Sequence, residues 1–585
     1  MTPSPSQRLS RAALLAALAP LLVTSAQAGG VNGLTERISF NSSGNQVLQD
    51  CSNPQVSGDG RYIAYATVEA LLPADTSGVE DVYVLDRVTN DLVCASTTPT
   101  GAFGTGASSA PAISNDGRWV VFETTSSDLV AGDFNFAADI LLKDLQSGAL
   151  GRISAAIGDP LAAAGASTEP AISEDGKFIA FQSSAVNLVG GDLNGAWDVF
   201  VRDLGANTMT RASVGFAGEG NGSSRRPSIS ADGRRVCFQS EAWNLVPGDG
   251  NFTSDVFVRD LGAGTTTLLS RAPGGAPGNG FSFWPSLSAD GQRAVFMSDA
   301  SDLAAGDANG STDVFAVSLV SGKATLVSAS TTGQSGNAAS SQAVISADGT
   351  HAVFRSNASD LVLKNSPFAD IYMRRLDTPQ TWLISRRSGL GSLADQASHL
   401  PGVSRDGSVV AFESDATNLD STDTNGVRDI YVRTVLEDPL VYCNSTPTSD
   451  GCLPQMDFVG IPSATAATGF ELRAKNVSGN KTSMLFYGLA GGTAQPFLGG
   501  TLCVQGQRKR SVLIDSGSQP LVLGPCDGLL SFDMNAFARG TLGGNPSPAL
   551  SIVGQQVNAQ YWGRDPGAAS FHTFLSDAVE YFVGP

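Results

Sequence analysis

"PAISEDGKFIAFQSSAVNLVGGDLNGAWDVFVRDL", residues 170–204, joins three apolar runs through one Asp-Gly turn and one acidic loop. Its Ser-x-Asp-Gly tetrapeptide occurs seven times, with the acid at Asp59, Asp116, Asp175, Asp232, Asp290, Asp348 and Asp406. Neighbouring copies lie 57–59 residues apart. A fixed period of that length signals a repeat architecture. Each unit reads as four strands. A short strand such as "PAIS" (170–173) comes first, then an Asp-Gly hairpin whose Gly supplies a positive φ. The second strand, "KFIAFQS" here, carries one aromatic per unit: Tyr65, Phe122, Phe181, Phe238, Phe296, Phe354 and Phe412. An aromatic at one fixed place in every unit is core. "DVFVRDL" is the third strand, and runs such as "TLLSRA" (267–272) are the fourth. Four strands repeated seven times predict a β-propeller.

Unit seven lacks a fourth strand after "DIYVRTV" (429–435), while "TERISFNSSGN" (35–45) matches the fourth strands of other units. Residues 35–40 are therefore expected to complete the last blade, which leaves no open sheet edge. The pattern P-x-[IV]-S-x-D-G-[RK]-x-[IV]-x-F, followed by D-[VI]-[FY]-V, resembles the TolB-type, WD-like repeat over about residues 35–435. Members of that family act as binding platforms or as gates on serine peptidases. TolB itself has six blades and an N-terminal α/β domain, so its envelope role does not carry over.

Antiparallel order sorts the connections. First-to-second and third-to-fourth turns share one face and are short. Second-to-third and fourth-to-first connections share the other and are long, the usual place for binding. On that face lie five acidic loops: Asp133/Asn135/Asp139, Asp192/Asn194/Asp198, Asp249/Asn251/Asp255, Asp307/Asn309/Asp313 and Asp423/Asn425/Asp429. Asp75/Ser77/Asp81 is a weaker sixth, and unit six keeps only Asp370. Closely spaced Asp and Asn suit Ca²⁺, although three side chains fall short of its 6–8 oxygens. The competing reading is Asx-turns and capping of the third strand. Five equivalent copies argue against a catalytic acid–base pair, which needs two carboxyls with different environments.

Specificity is expected where the repeat departs from itself. The two residues before each strand-opening Pro, or its equivalent, face the channel mouth: Ser52-Asn53, Ser109-Ala110, Thr168-Glu169, Arg225-Arg226, Phe283-Trp284, Ser341-Gln342 and His399-Leu400. Glu169, Arg225, Arg226, Phe283, Trp284, Gln342 and His399 are the ligand-binding candidates. The arginines suit a carboxylate and Trp284 a stacking partner. An unconstrained rim is the plainer alternative.

Residues 1–28 combine Arg8 and Arg11, an apolar run over 12–23 and Ala26-Gln27-Ala28, a signal-peptide pattern. Export to the periplasm, cell surface or exterior is expected, with no membrane-spanning helix. The formal charge of −19 disfavours nucleic acid. Close spacing suggests Cys443–Cys452 and Cys503–Cys526 disulfides, with Cys51–Cys94 a third pair and Cys237 left as a buried thiol. Three histidines, no H-E-x-x-H and no G-x-S-x-G make an enzyme the lesser expectation.

After residue 438 the period stops. Alternating runs at 469–477, 482–489, 500–506, 510–516 and 580–585 predict a β-sandwich over 439–585. "GTLCV", "YWGRDP" and "LSDAVEYFV" resemble a C-terminal module of other secreted bacterial proteins; Trp562, Arg564 and Asp565 are its candidate carbohydrate- or surface-attachment residues, and a structural corner is the plainer reading of "WGRDP". The reading is a monomeric all-β protein: a signal peptide (1–28), a seven-bladed propeller (29–438) and a β-sandwich-like domain. The expected role is non-catalytic binding of a protein, peptide or glycan at the long-loop face. The alternatives are a glycan-active enzyme using that face's carboxylates and a calcium-stabilised surface protein.

Overall fold

The computed structural model describes residues 32–436 apart from 159–162, 217, 331, 363–366, 379 and 389–391. Beyond 436 it omits 437–439, 443–451, 453, 461–462, 464–465, 467, 478–481, 490–491, 498–499, 505–508, 512, 516–527, 543–545, 552–555, 565–572 and 583–585. The candidate signal peptide, Asp565 and Cys443 thus lie outside the described residues. The described residues divide into two compact units, one ending at Val435 and one beginning at Leu436. No helix among the described residues is long and apolar enough to cross a membrane.

The first unit is a β-propeller built from four-stranded antiparallel sheets. Seven such sheets occur, called blades 1–7 in chain order. Their first strands are Cys51–Val56, Ser108–Ile113, Ser167–Ile172, Ser224–Ile229, Ser282–Leu287, Ser340–Ile345 and Ser398–Val403. Each first strand contacts the next, and Ser398–Val403 contacts Cys51–Val56, so these strands line the axis. Asn32–Arg37 pairs with Asp429–Leu436 as the fourth strand of blade 7. That strand runs three residues earlier than the expected 35–40 and ends before Ser39, whose side chain has another role described below.

Local chemistry explains the hairpins. In every Ser-x-Asp-Gly turn the Ser hydroxyl donates to the Asp carboxylate, as in Ser57–Asp59 and Ser230–Asp232 at 2.6 Å. The same carboxylate accepts a backbone N–H two residues on. The seven turn glycines have φ between 65° and 79°. At Gly117 a side chain would also collide with the Tyr62 ring of the preceding blade, at 2.0 Å. Between blades, the fixed aromatics are fully buried. Five of them stack on a third-strand ring, as Phe181 does on Phe200 at 5.9 Å.

One interaction recurs in all seven blades. The Asp that opens the third strand accepts a hydroxyl hydrogen bond from a Ser just past the fourth strand: Asp81–Ser96, Asp139–Ser154, Asp198–Ser213, Asp255–Ser270, Asp313–Ser328, Asp370–Ser385 and Asp429–Ser39. The Ser oxygen in turn accepts the N–H of the residue after the Asp. In blade 7 this lock joins residues 390 apart in sequence.

The first strands correct one expectation. They start three residues before the expected Pro, which sits within the strand at a bulge; in blade 3 the register shifts between Thr168 and Ala171. Pro lacks an N–H, so it is tolerated where the ladder is already interrupted. Cys51 and Cys94 correct another: both are buried free thiols, as is Cys237. Cys51 and Cys94 lie in the core between blades 7 and 1 and Cys237 in the core between blades 4 and 5, and burial pushes the Cys51 thiol well above its usual range. Of the four C-terminal cysteines, only the Cys452 side chain is described, and it is buried.

In the second unit, strands Gln455–Gly460, Phe470–Val477 and Gly528–Asp533 form one sheet. A larger sheet is centred on Thr482–Gly488, Gln556–Arg564 and Thr573–Phe582. Phe470, Leu472 and Phe532 from the first share a core with Leu485, Val557 and Tyr561 from the second. Helix Met534–Ala538 covers it with Phe537. Trp562 and Arg564 lie in the Gln556–Arg564 strand.

Ser39→Ala removes both the donor to buried Asp429 and the acceptor of the Ile430 N–H. The expected loss is about 1–3 kcal/mol, read as a lower calorimetric midpoint of the propeller. An unchanged midpoint would show that this lock contributes nothing.

Candidate functional site

The acidic loops lie between second and third strands and pack on the connections that lead into the next blade. Asn Nδ2 donates to a carbonyl of that connection in five blades: Asn135 to Ala163, Asn194 to Gly220, Asn251 to Gly278, Asn309 to Gly336 and Asn425 to Val47, at 2.7–3.0 Å. The Asn Oδ1 accepts the N–H two residues on, an Asx-turn. Both ends of each amide are therefore engaged. The closing Asp of each loop is the acid of the Ser lock.

The loop carboxylates differ in their counter-charge. In blade 3, Arg211 Nη1 lies 3.1 Å from Asp192, 3.6 Å from Asp198 and 2.6 Å from Glu219. In blade 7, Arg37 Nη1 lies 3.2 Å from Asp423 and 3.5 Å from Asp429. Arg152 approaches Asp139 at 3.4 Å and Asp133 at 3.9 Å in blade 2. Asp192, Asp198 and Glu219 have metal-holding geometry among themselves, but a guanidinium already stands among them. In blade 1, Tyr83 donates to Asp75, and Ser77 bridges Asp75 and Asp81 at 2.8 and 2.9 Å. Burial raises the closing carboxyls Asp81, Asp139, Asp198 and Asp429, those of Asp81 and Asp139 to about 6.

At the channel mouth the second residue of every expected pair occupies the left-handed region: Asn53, Ala110, Glu169, Arg226, Trp284, Gln342 and Leu400, with φ from 37° to 55°. The bulge frees that residue's N–H from the ladder. A second-strand carboxylate or amide oxygen of the preceding blade accepts it in four cases: Glu123 for Glu169, Gln182 for Arg226, Gln239 for Trp284 and Glu413 for Asn53, at 2.7–3.0 Å. Met297 Sδ serves Gln342, and Gln342 Oε1 serves Leu400. A hydrogen bond at six of the seven bulges offsets a conformation that costs on the order of 1–3 kcal/mol.

The candidate residues sort unequally on this ring. Glu169, Arg226 and Trp284 come together across three blades. Arg226 lies 3.2 Å from Glu169, with its guanidinium 3.7 Å from the centre of the Trp284 ring. Arg225 instead covers Trp197 at 5.0 Å, and Phe283 packs on the core beside blade 6. His399 pairs with Asp415 at 3.2 Å, which Arg428 also holds at 2.8 Å. Burial lowers the His399 imidazole, and it pushes the Glu413 carboxyl, 1% exposed, up to about 7.

Sequence reading passed over a further feature of this face. Phe136 and Phe252 follow the Asn of the blade 2 and blade 4 loops with φ of 55° and 57°, where the other three good copies carry Gly195, Gly310 and Gly426. They are 85% and 78% exposed. Phe134, Leu193, Phe216, Trp243 and Phe281 are also exposed on the connections of this face, and Trp243 stands edge-on to Phe252 at 6.4 Å. The signal is visible in the sequence as "DFNFAAD" and "DGNFTSD", where an aromatic follows the loop Asn in place of Gly.

No protein-family model matches the chain, and no curated protein does. Among solved structures it is similar to TolB from Acinetobacter baumannii, at 16% identity and TM-score 0.31, over 52% of this chain and 58% of that one. An oligogalacturonate lyase in complex with manganese is 12% identical with TM-score 0.42, over 70% and 98% of the chains. The β-propeller domain of the Trilobed protease from Pyrococcus furiosus is 11% identical with TM-score 0.41, over 66% and 93%. Likeness at this level concerns the propeller fold alone.

Glu413 gives a pH-dependent prediction. Its folded-state carboxyl lies above the ordinary 4.5, so the folded state binds its proton more tightly than the unfolded one. The burial cost is absent below pH 4.5, grows towards pH 7 and is complete above it. Glu413→Gln keeps an acceptor for Asn53 and removes that cost. The variant should be more stable than the parent by on the order of 2–3 kcal/mol at pH 8, with no difference near pH 4.5. Melting both proteins across that range checks it, and a pH-independent difference would contradict it.

Proposed function

We propose that the chain is an exported, non-catalytic binding protein that holds a protein, peptide or glycan partner on the long-loop face of its propeller. The observation that carries this reading is the pair of exposed, left-handed phenylalanines, Phe136 and Phe252. A non-Gly residue in that region is strained, and glycine serves the same turn in the sister loops. Large exposed apolar side chains also disfavour solubility. Two costs at one position have no folding benefit, so the benefit lies in contact with another molecule. Aromatic rings suit this because they bring large, rigid area to an interface.

The Glu169–Arg226–Trp284 cluster supplies the polar counterpart at the channel mouth, where a carboxylate or sugar hydroxyl would meet the guanidinium. The closing acids of the loops, whose carboxyls burial raises, are each engaged by the lock Ser, which favours binding over acid–base chemistry. Export rests on the signal-peptide pattern of residues 1–28.

Phe136→Gly/Phe252→Gly tests the reading. Because it relieves strain, the double variant should melt at or above the parent temperature, and it should lose at least tenfold in affinity for ligands found on peptide and glycan arrays. Full retention of array binding by the double variant would refute the aromatic face as the binding surface.

A further inference from the structure

The acidic loops of blades 2, 3 and 7 share a solution that blades 4 and 5 lack. In each of the three, a fourth-strand arginine reaches both loop acids: Arg152, Arg211 and Arg37. Register places Arg211 opposite Phe200 and Arg152 opposite Leu141. The same register puts Leu268 opposite Phe257 in blade 4 and Leu326 opposite Phe315 in blade 5. Among the described residues, no ion pair reaches Asp249, Asp255, Asp307 or Asp313. Nor does a tyrosine serve their loops, since Tyr83 and Tyr431, which donate to Asp75 and Asp423, are replaced by Phe257 and Phe315.

Blade 5 shows the consequence at one atom. Asp313 is fully buried, its Oδ1 accepts from Ser328 at 2.5 Å, and its Oδ2 has no hydrogen-bond partner. In the sister loops it is this second oxygen that meets the guanidinium: Asp198 Oδ2 with Arg211, Asp429 Oδ2 with Arg37 and Asp139 Oδ2 with Arg152. Asp307 stands against Asp313, and burial together with that neighbouring charge pushes the Asp313 carboxyl up to about 7. In blade 4, Asp249 bears on Asp255, whose Oδ2 also accepts from Asn251 Nδ2 at 2.8 Å, and burial pushes Asp255 up to about 6. Two carboxylates thus face one another in a place built elsewhere around a positive charge.

We infer that the loops of blades 4 and 5 each bind a hard divalent cation of the calcium class between Asp249 and Asp255 and between Asp307 and Asp313, in the position that arginine fills in blades 2, 3 and 7. Carboxylate oxygens are the ligands such an ion takes, with backbone carbonyls and water completing the shell. The Asn of each loop is not a ligand, because its amide is spent on the turn and on the next connection. Coordination is therefore incomplete on the protein side, which places the affinity in the weak, extracellular range of about 10⁻⁴–10⁻³ M.

The test uses the full chain, stripped with chelator and titrated with CaCl₂ by calorimetry at pH 7.5. The expected result is binding in that range, a raised melting temperature, and loss of both in Asp249→Asn/Asp307→Asn. Leu268→Arg/Leu326→Arg is the second arm, since it imitates the sister loops. It should abolish the calcium response while melting in chelator above the parent. Absence of any calcium heat or melting shift at millimolar concentrations would overturn the inference. So would an arginine double variant that binds calcium as the parent does. A parent whose stability falls between pH 6 and 8 with no calcium effect would mean that each pair shares a proton instead, and would equally refute it.

Discussion

The propeller depends on a buried carboxylate given to a serine. Burying an ionised group without partners is expensive, yet every blade places one at the start of its third strand. The Ser hydroxyl that donates to it also accepts the next backbone N–H, so one side chain ties the third strand to the end of the fourth. Six of these locks close over about fifteen residues. The seventh, Asp429 with Ser39, links the two ends of the propeller. It acts beside the ladder hydrogen bonds and the ion pairs of Arg37, which also hold the outer strand of blade 7. The same chemistry that finishes a blade therefore also joins the beginning of the chain to its end.

Around the axis, a second repeated device stores strain and offsets it locally. A left-handed residue before proline opens a bulge, and a side chain from the preceding blade accepts the N–H so released. This couples neighbouring blades at the channel mouth and leaves the side chain of the bulge residue free to vary. Variation there brings Glu169, Arg226 and Trp284 into one cluster. It also brings a buried acid, Glu413, against Asn53 where blade 7 meets blade 1. The loops above follow the same logic: a common frame of Asx-turn and Ser lock, with differing residues set on it.

Legibility followed the range of each interaction. The Ser-x-Asp-Gly turns were readable because their hydrogen bonds close within two to five residues. The core aromatics were readable because period and position recur. The bulge was not recognised, although a residue before Pro is a restricted one; its acceptor lies about 45 residues away in another blade. Arg37, Arg152 and Arg211 were passed over because an Arg next to "IS" or "AS" is unremarkable until the fourth strand is laid against the loop. Spacing suggests a Cys51–Cys94 pair, but both thiols stand free in the core that blade 1 shares with blade 7.

By itself, the sequence determined the repeat, the turn chemistry, the alternation of strands and the face on which the long connections emerge. Each of these rests on contacts between residues close along the chain, or on a pattern repeated often enough to be counted. Only the tertiary structure decided which acidic loops hold an arginine and which do not. It also decided which channel-mouth residues meet, and that two phenylalanines stand strained and exposed. Those features depend on side chains from separate strands and blades converging at one point, and no spacing within a single repeat encodes that convergence.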